Sequence, residues 1–487
     1  MKSSNLFNNI LARTVFISFL LSAFSLNSVS PEQKTYIKQS IKSLINNVDP
    51  NAHIGVEIVS LRDHECIYQK NRDQLFIPAS VLKLFTATAA LTYLGKDYRF
   101  ITQILSDAPV TDGIVHGSLY IKGSGDPSLE TKDIVQLVSN LKELGINEIH
   151  GDIVVDTSEF DTMHFGPGWM WDEGAASFNA PIDALTVNHN CVKVTVSPSH
   201  LGAAPLVVLT PSTNYMGIDN QALTSEIDGS PALRIARRWL ARENVIDITG
   251  SVELESVPKQ GEYTVEKPAL YAATLFKELL AQASIVFRGT ILKDRPVAKN
   301  AHILASHASE PLENLLKTML KNSDNLYAEC LFKKLGKIAT EERGSWQTGK
   351  KALQGFFENV LGITTDRYVV VDGSGFSRYN LISPHQLVML LDYIAKDALL
   401  LGQLTPLLPL AGVDGTLKDR LKEGPACRNV QAKTGTMTGV SALAGFMCTK
   451  SREPLAFAVM INGVTKPVRE YKLLLEDQIC TLLADLE

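Results

Sequence analysis

Pro78-Ala79-Ser80-Val81-Leu82-Lys83 opens an apolar run, Val81 to Leu94, that stops at Gly95. The run holds no Pro or Gly, and Pro78 blocks helix before it, so it reads as a buried helix starting at Ser80. Residues i and i+3 share one helical face, which brings Lys83 within reach of the Ser80 hydroxyl. The helix N-terminus also turns free N–H groups toward that oxygen. A hydroxyl is a poor nucleophile at neutral pH and needs an adjacent base. A lysine is that base only if burial or a neighbouring cation lowers its pKa. The apolar helix supplies burial, and a second cation is expected elsewhere in the chain. Two further Ser-x-x-Lys strings, Ser139 to Lys142 and Ser256 to Lys259, read as solvated surface. Spacing alone therefore decides nothing, and the case rests on the company Ser80 keeps.

A length of 487 residues suggests two or three domains with ample core. The net charge of −5 gives no basic patch, which argues against a nucleic-acid partner. At the N-terminus, Lys2 and Arg13 precede the apolar stretch Val15 to Leu26, and Asn27-Ser28-Val29-Ser30 follows. That order reads as a signal peptide over residues 1–30, cleaved near Ser30, and hence a periplasmic or exported protein, with an uncleaved N-terminal anchor as the alternative. No later stretch is long and apolar enough to span a bilayer. Six cysteines lack metal spacing and read mainly as buried thiols, with one disulfide possible. Ten histidines form no metal-binding pattern, so neither a metal nor another cofactor is expected.

After an amphipathic helix over Glu32 to Asn47, Ile54 to Ser60 and Cys66 to Gln69 read as strands. At the far end, Val430 to Thr436, Val440 to Cys448 and Leu455 to Asn462 read as three more, followed by a helix over Val468 to Leu486. The two ends together predict one five-stranded antiparallel sheet with helices on it, an α+β fold. The middle is strand-rich, with helices near Lys132 to Leu144 and Ala269 to Ala283. Pro311 then opens a helix to Lys321, and Leu326 to Leu335 is helical up to Gly336. The expected division is residues 31–96 and 300–487 as a discontinuous catalytic domain, and 97–299 as one or two inserted domains.

Two further motifs complete the set. Asn322-Ser323-Asp324-Asn325 breaks the chain between two helices. Such a break serves either as a helix cap or as a functional loop, with Ser323 relaying a proton and Asn325 holding a substrate amide. Lys433-Thr434-Gly435-Thr436 lies on a predicted strand. Lys433 is the second cation, and Thr434 and Thr436 suit a carboxylate. Gly435 leaves room for a substrate strand. The N–H of Thr436 with that of Ser80 suits an oxyanion hole. Gly373-Ser374-Gly375 lacks the context of a nucleophile elbow and reads as a tight turn.

Helix start, inter-helix loop and late strand, in that order, resemble the serine penicillin-binding protein and β-lactamase superfamily. More narrowly, the chain is similar to the D-alanyl-D-alanine carboxypeptidase/endopeptidase family, the low-mass class C penicillin-binding proteins. Gly123-Ser124-Gly125-Asp126-Pro127, Gly168-Trp169-Met170-Trp171-Asp172, Ser323 to Glu329, Asp372-Gly373-Ser374-Gly375 and Ala411 to Leu417 carry that likeness. The resemblance implies a penicillin-binding transpeptidase/β-lactamase-like domain with a large strand-rich insertion. It implies Ser80, Lys83, Ser323, Asn325 and Lys433 as catalytic, and Thr434, Gly435, Thr436, Met437, Asp172 and Trp169 as substrate-binding. Asp172 is matched to the free amine of a diaminopimelate side chain, with Glu173 as its rival; Trp169 alternatively serves packing. The implied partners are peptidoglycan stem peptides, with β-lactams as covalent inhibitors. The expected function is an exported serine DD-peptidase acting on D-Ala-D-Ala termini, D-Ala cross-links or both. The alternatives are a β-lactamase and a non-catalytic wall-binding protein on the same scaffold.

Overall fold

The computed structural model describes residues 29–226, 231–293 and 295–487. The expected signal segment therefore lies outside the described residues except for Val29 and Ser30. Ser30 caps the first helix, Pro31–Val48: its hydroxyl accepts the Gln33 N–H, and the Gln33 side chain accepts the Ser30 N–H. No helix among the described residues is long and apolar enough to cross a membrane.

Contacts divide the chain into two units, residues 1–81 with 382–487 and residues 82–381. The first is built on a five-stranded antiparallel sheet in the order Cys66–Lys70, His53–Ser60, Pro454–Asn462, Val440–Cys448 and Gln431–Met437. The two ends of the sequence thus pair as expected. Strands Val440–Cys448 and Pro454–Asn462 are buried along nearly their whole length, which requires cover on both faces. Ile54, Val56 and Ile58 share a core with Ile37, Ile41 and Ile45 of the first helix and Leu475, Ile479 and Leu483 of the last. Gly55 and Glu57 point to the other face, where they meet Pro384 and His385 at the head of helix Pro384–Lys396. The C-terminal helix is not uniform. Val468–Tyr471 passes through a π-helical turn, Lys472–Glu476, into Asp477–Ala484.

The second unit combines four helices with the strand-rich middle. Helix Lys83–Leu94 packs with Leu312–Lys321, Asn325–Thr340 and Trp346–Asn359. The middle carries a mixed five-stranded sheet, Ile291–Lys293, Ile153–Asp156, Leu119–Lys122, Ile101–Ser106 and His302–Ala308. Two three-stranded sheets and helices Thr131–Glu143 and Pro268–Gln282 share its core.

Two details differ from the sequence reading. The helix expected to stop at Gly336 runs on to Thr340. Gly336 is a contact point rather than a stop: a Cβ there would lie 2.3 Å from the backbone nitrogen of Gly349 on the neighbouring helix. Ile149 to Val155, read as one strand, is two, Glu148–Ile149 and Ile153–Asp156. Gly151 sits in the break because a Cβ there would lie 2.2 Å from the Gly117 carbonyl oxygen.

Candidate active site

Ser80 does not begin an α-helix. It lies in the 3-10 turn Ala79–Leu82, which leads into the α-helix Lys83–Leu94. Between Pro78 and Leu91 every residue is buried except Ser80, which is partly exposed. Ala79 before it has a φ of +48°, a left-handed conformation that a non-glycine residue adopts at a cost. Backbone strain next to a lone accessible hydroxyl is common where a side chain must be presented for chemistry.

The same unit holds the Lys-Thr-Gly-Thr strand. It is the outermost strand of the sheet, and Thr436 and Gly435 pair with Ser441 and Ala442. A Cβ on Gly435 would lie 2.7 Å from the Pro78 carbonyl oxygen and 3.2 Å from the Ala79 Cβ. The room this glycine leaves is therefore filled by the backbone that delivers Ser80, and the strand and the serine turn are packed together. Lys433 is fully buried and donates to the Thr434 carbonyl at 2.8 Å. The Thr434 hydroxyl donates to that of Thr416 at 2.7 Å, within the turn Gly415–Leu417. Thr436 is exposed, and its hydroxyl accepts from Lys472 Nζ at 2.6 Å. Met437 is half-buried at the end of the strand.

In the other unit Lys83 is fully buried, unlike the exposed Lys142 and Lys259 of the two competing strings. Its Nζ donates to Asn325 Oδ1 at 2.7 Å and to the Ser374 carbonyl at 2.9 Å. Burial pushes its pKa down from 10.5 to about 8, outweighing the opposing pull of Glu329, Asp324 and Asp372. The Ser-x-Asn loop divides its labour. Asp324 caps helix Asn325–Thr340 by accepting the Tyr327 N–H at 3.0 Å, while Ser323 holds a left-handed φ of +61°. The helix-cap reading of this stretch thus applies to Asp324. Asn325 Nδ2 donates to the Phe178 carbonyl at 2.9 Å, so the amide is oriented from both ends.

The turn Asp372-Gly373-Ser374-Gly375, one of the stretches that carry the family likeness, packs against Lys83. Lys83 binds its Ser374 carbonyl, and Thr86, one helical turn on, donates to its Gly373 carbonyl at 2.7 Å. Buried Glu329 accepts the N–H groups of Gly373 and Ser374, at 3.1 and 2.7 Å, and the Trp346 indole N–H at 2.9 Å. Burial first, and Asp372 second, raise its pKa to about 7. Asp372 accepts from the N–H groups of Gly375 and Ser377, from Asn380 Nδ2 and from the Trp169 indole. Burial raises its pKa as well. Glu329 lies four residues after Asn325 on one helix, a spacing that could have flagged it.

Trp169 packs edge-on against Phe376, Trp346 and Phe165, and together with its bond to Asp372 this gives it a structural role. Asp172 is exposed in the turn Trp171–Glu173, next to the exposed Trp171, whereas Glu173 is half-buried.

Residues 37–484 match the family model of the D-Ala-D-Ala carboxypeptidase 3 (S13) peptidases. The chain belongs to this S13 family. It is 31% identical to the D-alanyl-D-alanine carboxypeptidase DacB of Haemophilus influenzae over 92% of this chain and 93% of that protein. It is 33% identical to a D-alanyl-D-alanine carboxypeptidase of Actinomadura sp. (strain R39), covering 95% and 87%. The crystal structure of penicillin binding protein 4 (dacB) from H. influenzae superposes with a TM-score of 0.80 at 30% identity, covering 91% of this chain and 97% of that one. The protein is therefore a D-Ala-D-Ala carboxypeptidase with the α+β fold of the serine penicillin-binding protein and β-lactamase superfamily. All six cysteines are free. Among the described residues no cluster of His, Cys, Asp and Glu has the makings of a metal site.

Proposed function

We propose that the protein is an exported serine DD-peptidase that acts through an ester on Ser80. Neutral Lys83 takes the Ser80 proton as Oγ attacks the carbonyl of the penultimate D-Ala of a peptidoglycan stem peptide. The N–H groups of Ser80 and Thr436 receive the oxyanion. As the peptide C–N bond breaks, the proton held by Lys83 is relayed through the Ser323 hydroxyl to the departing amine, which leaves Lys83 neutral again. Water then attacks the ester with Lys83 again as base, which releases the shortened peptide and restores Ser80. Asn325 holds the acyl-chain amide, and Lys433, Thr434 and Thr436 meet the terminal carboxylate. Asp172 meets the free side-chain amine of the stem peptide. The same acylation serves D-Ala-D-Ala termini and D-Ala cross-links, so both bonds are within its chemistry.

The reading rests chiefly on Lys83: a fully buried amine whose pKa is near 8, three residues after the sole accessible residue of a buried run. An H. influenzae relative has been crystallised in complex with a β-lactam. In a β-lactam the broken amide belongs to a ring, so the leaving amine stays tethered and the Ser80 ester persists. The test is incubation with purified muropeptides, with and without penicillin, and product identification by mass. Loss of terminal D-Ala or cross-links, blocked by penicillin with an adduct on the Ser80 peptide, is expected. Penicillin turnover without peptide cleavage would instead make the protein a β-lactamase, and an unlabelled Ser80 in folded protein would overturn the mechanism.

A further inference from the structure

The C-terminal helix brings a cation to the Lys-Thr-Gly-Thr strand. Lys472 opens the π-helical turn Lys472–Glu476, and its Nζ reaches the Thr436 hydroxyl at 2.6 Å. Such widened turns displace a helix face by one residue and recur at functional sites. The acids nearby are engaged elsewhere. Glu476 accepts from the Ser441 hydroxyl and from Arg420, and Asp477 takes the same guanidinium. Lys472 has no carboxylate within ion-pair distance among the described residues. It is half-buried, beside an exposed Thr436, whereas Lys433 is fully buried and already donates to the Thr434 carbonyl.

A hydroxyl that accepts from an ammonium keeps its own hydrogen for another partner. Lys472 thus fixes Thr436 as a donor and leaves two ammonium hydrogens of its own, a pair suited to an anion arriving from solvent. We propose that Lys472 is a specificity residue for the carboxylate next to the scissile bond, acting directly and through Thr436. This rests on the serine DD-peptidase reading given above. It assigns to the C-terminal helix a share of substrate recognition that the three motifs do not contain.

The experiment compares second-order acylation of wild type, Lys472→Gln and Lys472→Arg by penicillin G and by its methyl ester, which lacks the carboxylate charge. Lys472→Gln should lose about tenfold or more with the free acid, the worth of one modest charge-assisted contact. It should lose less than twofold with the ester, and Lys472→Arg should recover most of the difference. Equal losses for acid and ester, or no loss for either, would overturn the proposal. Lys472→Met is the second variant should Lys472→Gln lower the unfolding midpoint. Wild type reports on the parent reading separately: no adduct on Ser80 sinks that reading, whereas a normal adduct with an unselective Lys472→Gln sinks only this inference.

Discussion

Raising the pH should switch the enzyme on, because Lys83 must be neutral to accept a proton. Its pKa falls from 10.5 to about 8 through burial. At pH 7 a lysine at its ordinary value is neutral in about one molecule in three thousand, and one at 8 in about one in eleven. Burial therefore enlarges the reactive population by about 300-fold, equivalent to roughly 3 kcal/mol. Between pH 6 and pH 9 the neutral fraction climbs from about 1% to about 90%. Acylation of Ser80 by a fluorescent penicillin, measured by stopped flow well below saturation, reports the free enzyme. The second-order constant should rise roughly ninety-fold across that range, with its midpoint near 8. Lys83→Arg, whose guanidinium stays charged, should abolish the rise. A constant that stays flat from pH 6 to 9, or falls above pH 8, would refute Lys83 as the base.

The same shift carries a stability signature. The folded pKa of Lys83 is depressed, so the unfolded chain binds more protons between about pH 8 and 10.5, and stability must increase as pH rises through that window. Chemical denaturation should show Lys83→Met gaining on wild type by about 3 kcal/mol at pH 7 relative to pH 10.5, and parallel pH profiles would contradict it. Gly435→Ala sets a Cβ 2.7 Å from the Pro78 carbonyl. It should cost about 1–3 kcal/mol of stability by overpacking, and penicillin labelling should fall with it; a fully labelled, equally stable variant would remove the packing role. Glu329→Gln turns an amide toward the N–H groups of Gly373 and Ser374. An unfolding midpoint lowered by about 1–3 kcal/mol is expected, and a labelling profile moved to lower pH, since a charge that held Lys83 protonated is gone. An unmoved profile would dismiss the electrostatic link. Asp172→Ala should weaken cleavage of substrates bearing a free side-chain amine more than labelling by simple penicillins, and equal losses would deny it a specificity role.

What the sequence made legible was what periodicity and punctuation control. The apolar runs near the C-terminus read as strands of one sheet, and the apolar run after Pro78 reads as a buried helix. The places of Lys83, Asn325 and the Lys-Thr-Gly-Thr stretch on helix and strand were readable because each motif combines residue type with element position. Ala79 in the left-handed region and the 3-10 turn around Ser80 were not readable, because alanine gives no local signal for either. Gly336 was misread for the complementary reason: a glycine that ends a helix and one that admits a neighbouring helix look the same in one dimension. The reach of Lys472 to Thr436 depends on a π turn, which no periodicity rule anticipates.

Glu329 and Asp372 explain why a buried lysine tolerates acidic neighbours. Both carboxyls draw backbone N–H groups into the turn whose Ser374 carbonyl accepts from Lys83, so they fix the position of the amine. Full negative charge on both would hold Lys83 protonated and oppose the proposed role of base. The same burial that lowers Lys83 raises Glu329 to about 7 and raises Asp372. Desolvation thus acts on all three groups in the sense of neutrality. Nearer neutrality, the acids keep their hydrogen-bonding function while their electrostatic opposition to an uncharged lysine is reduced.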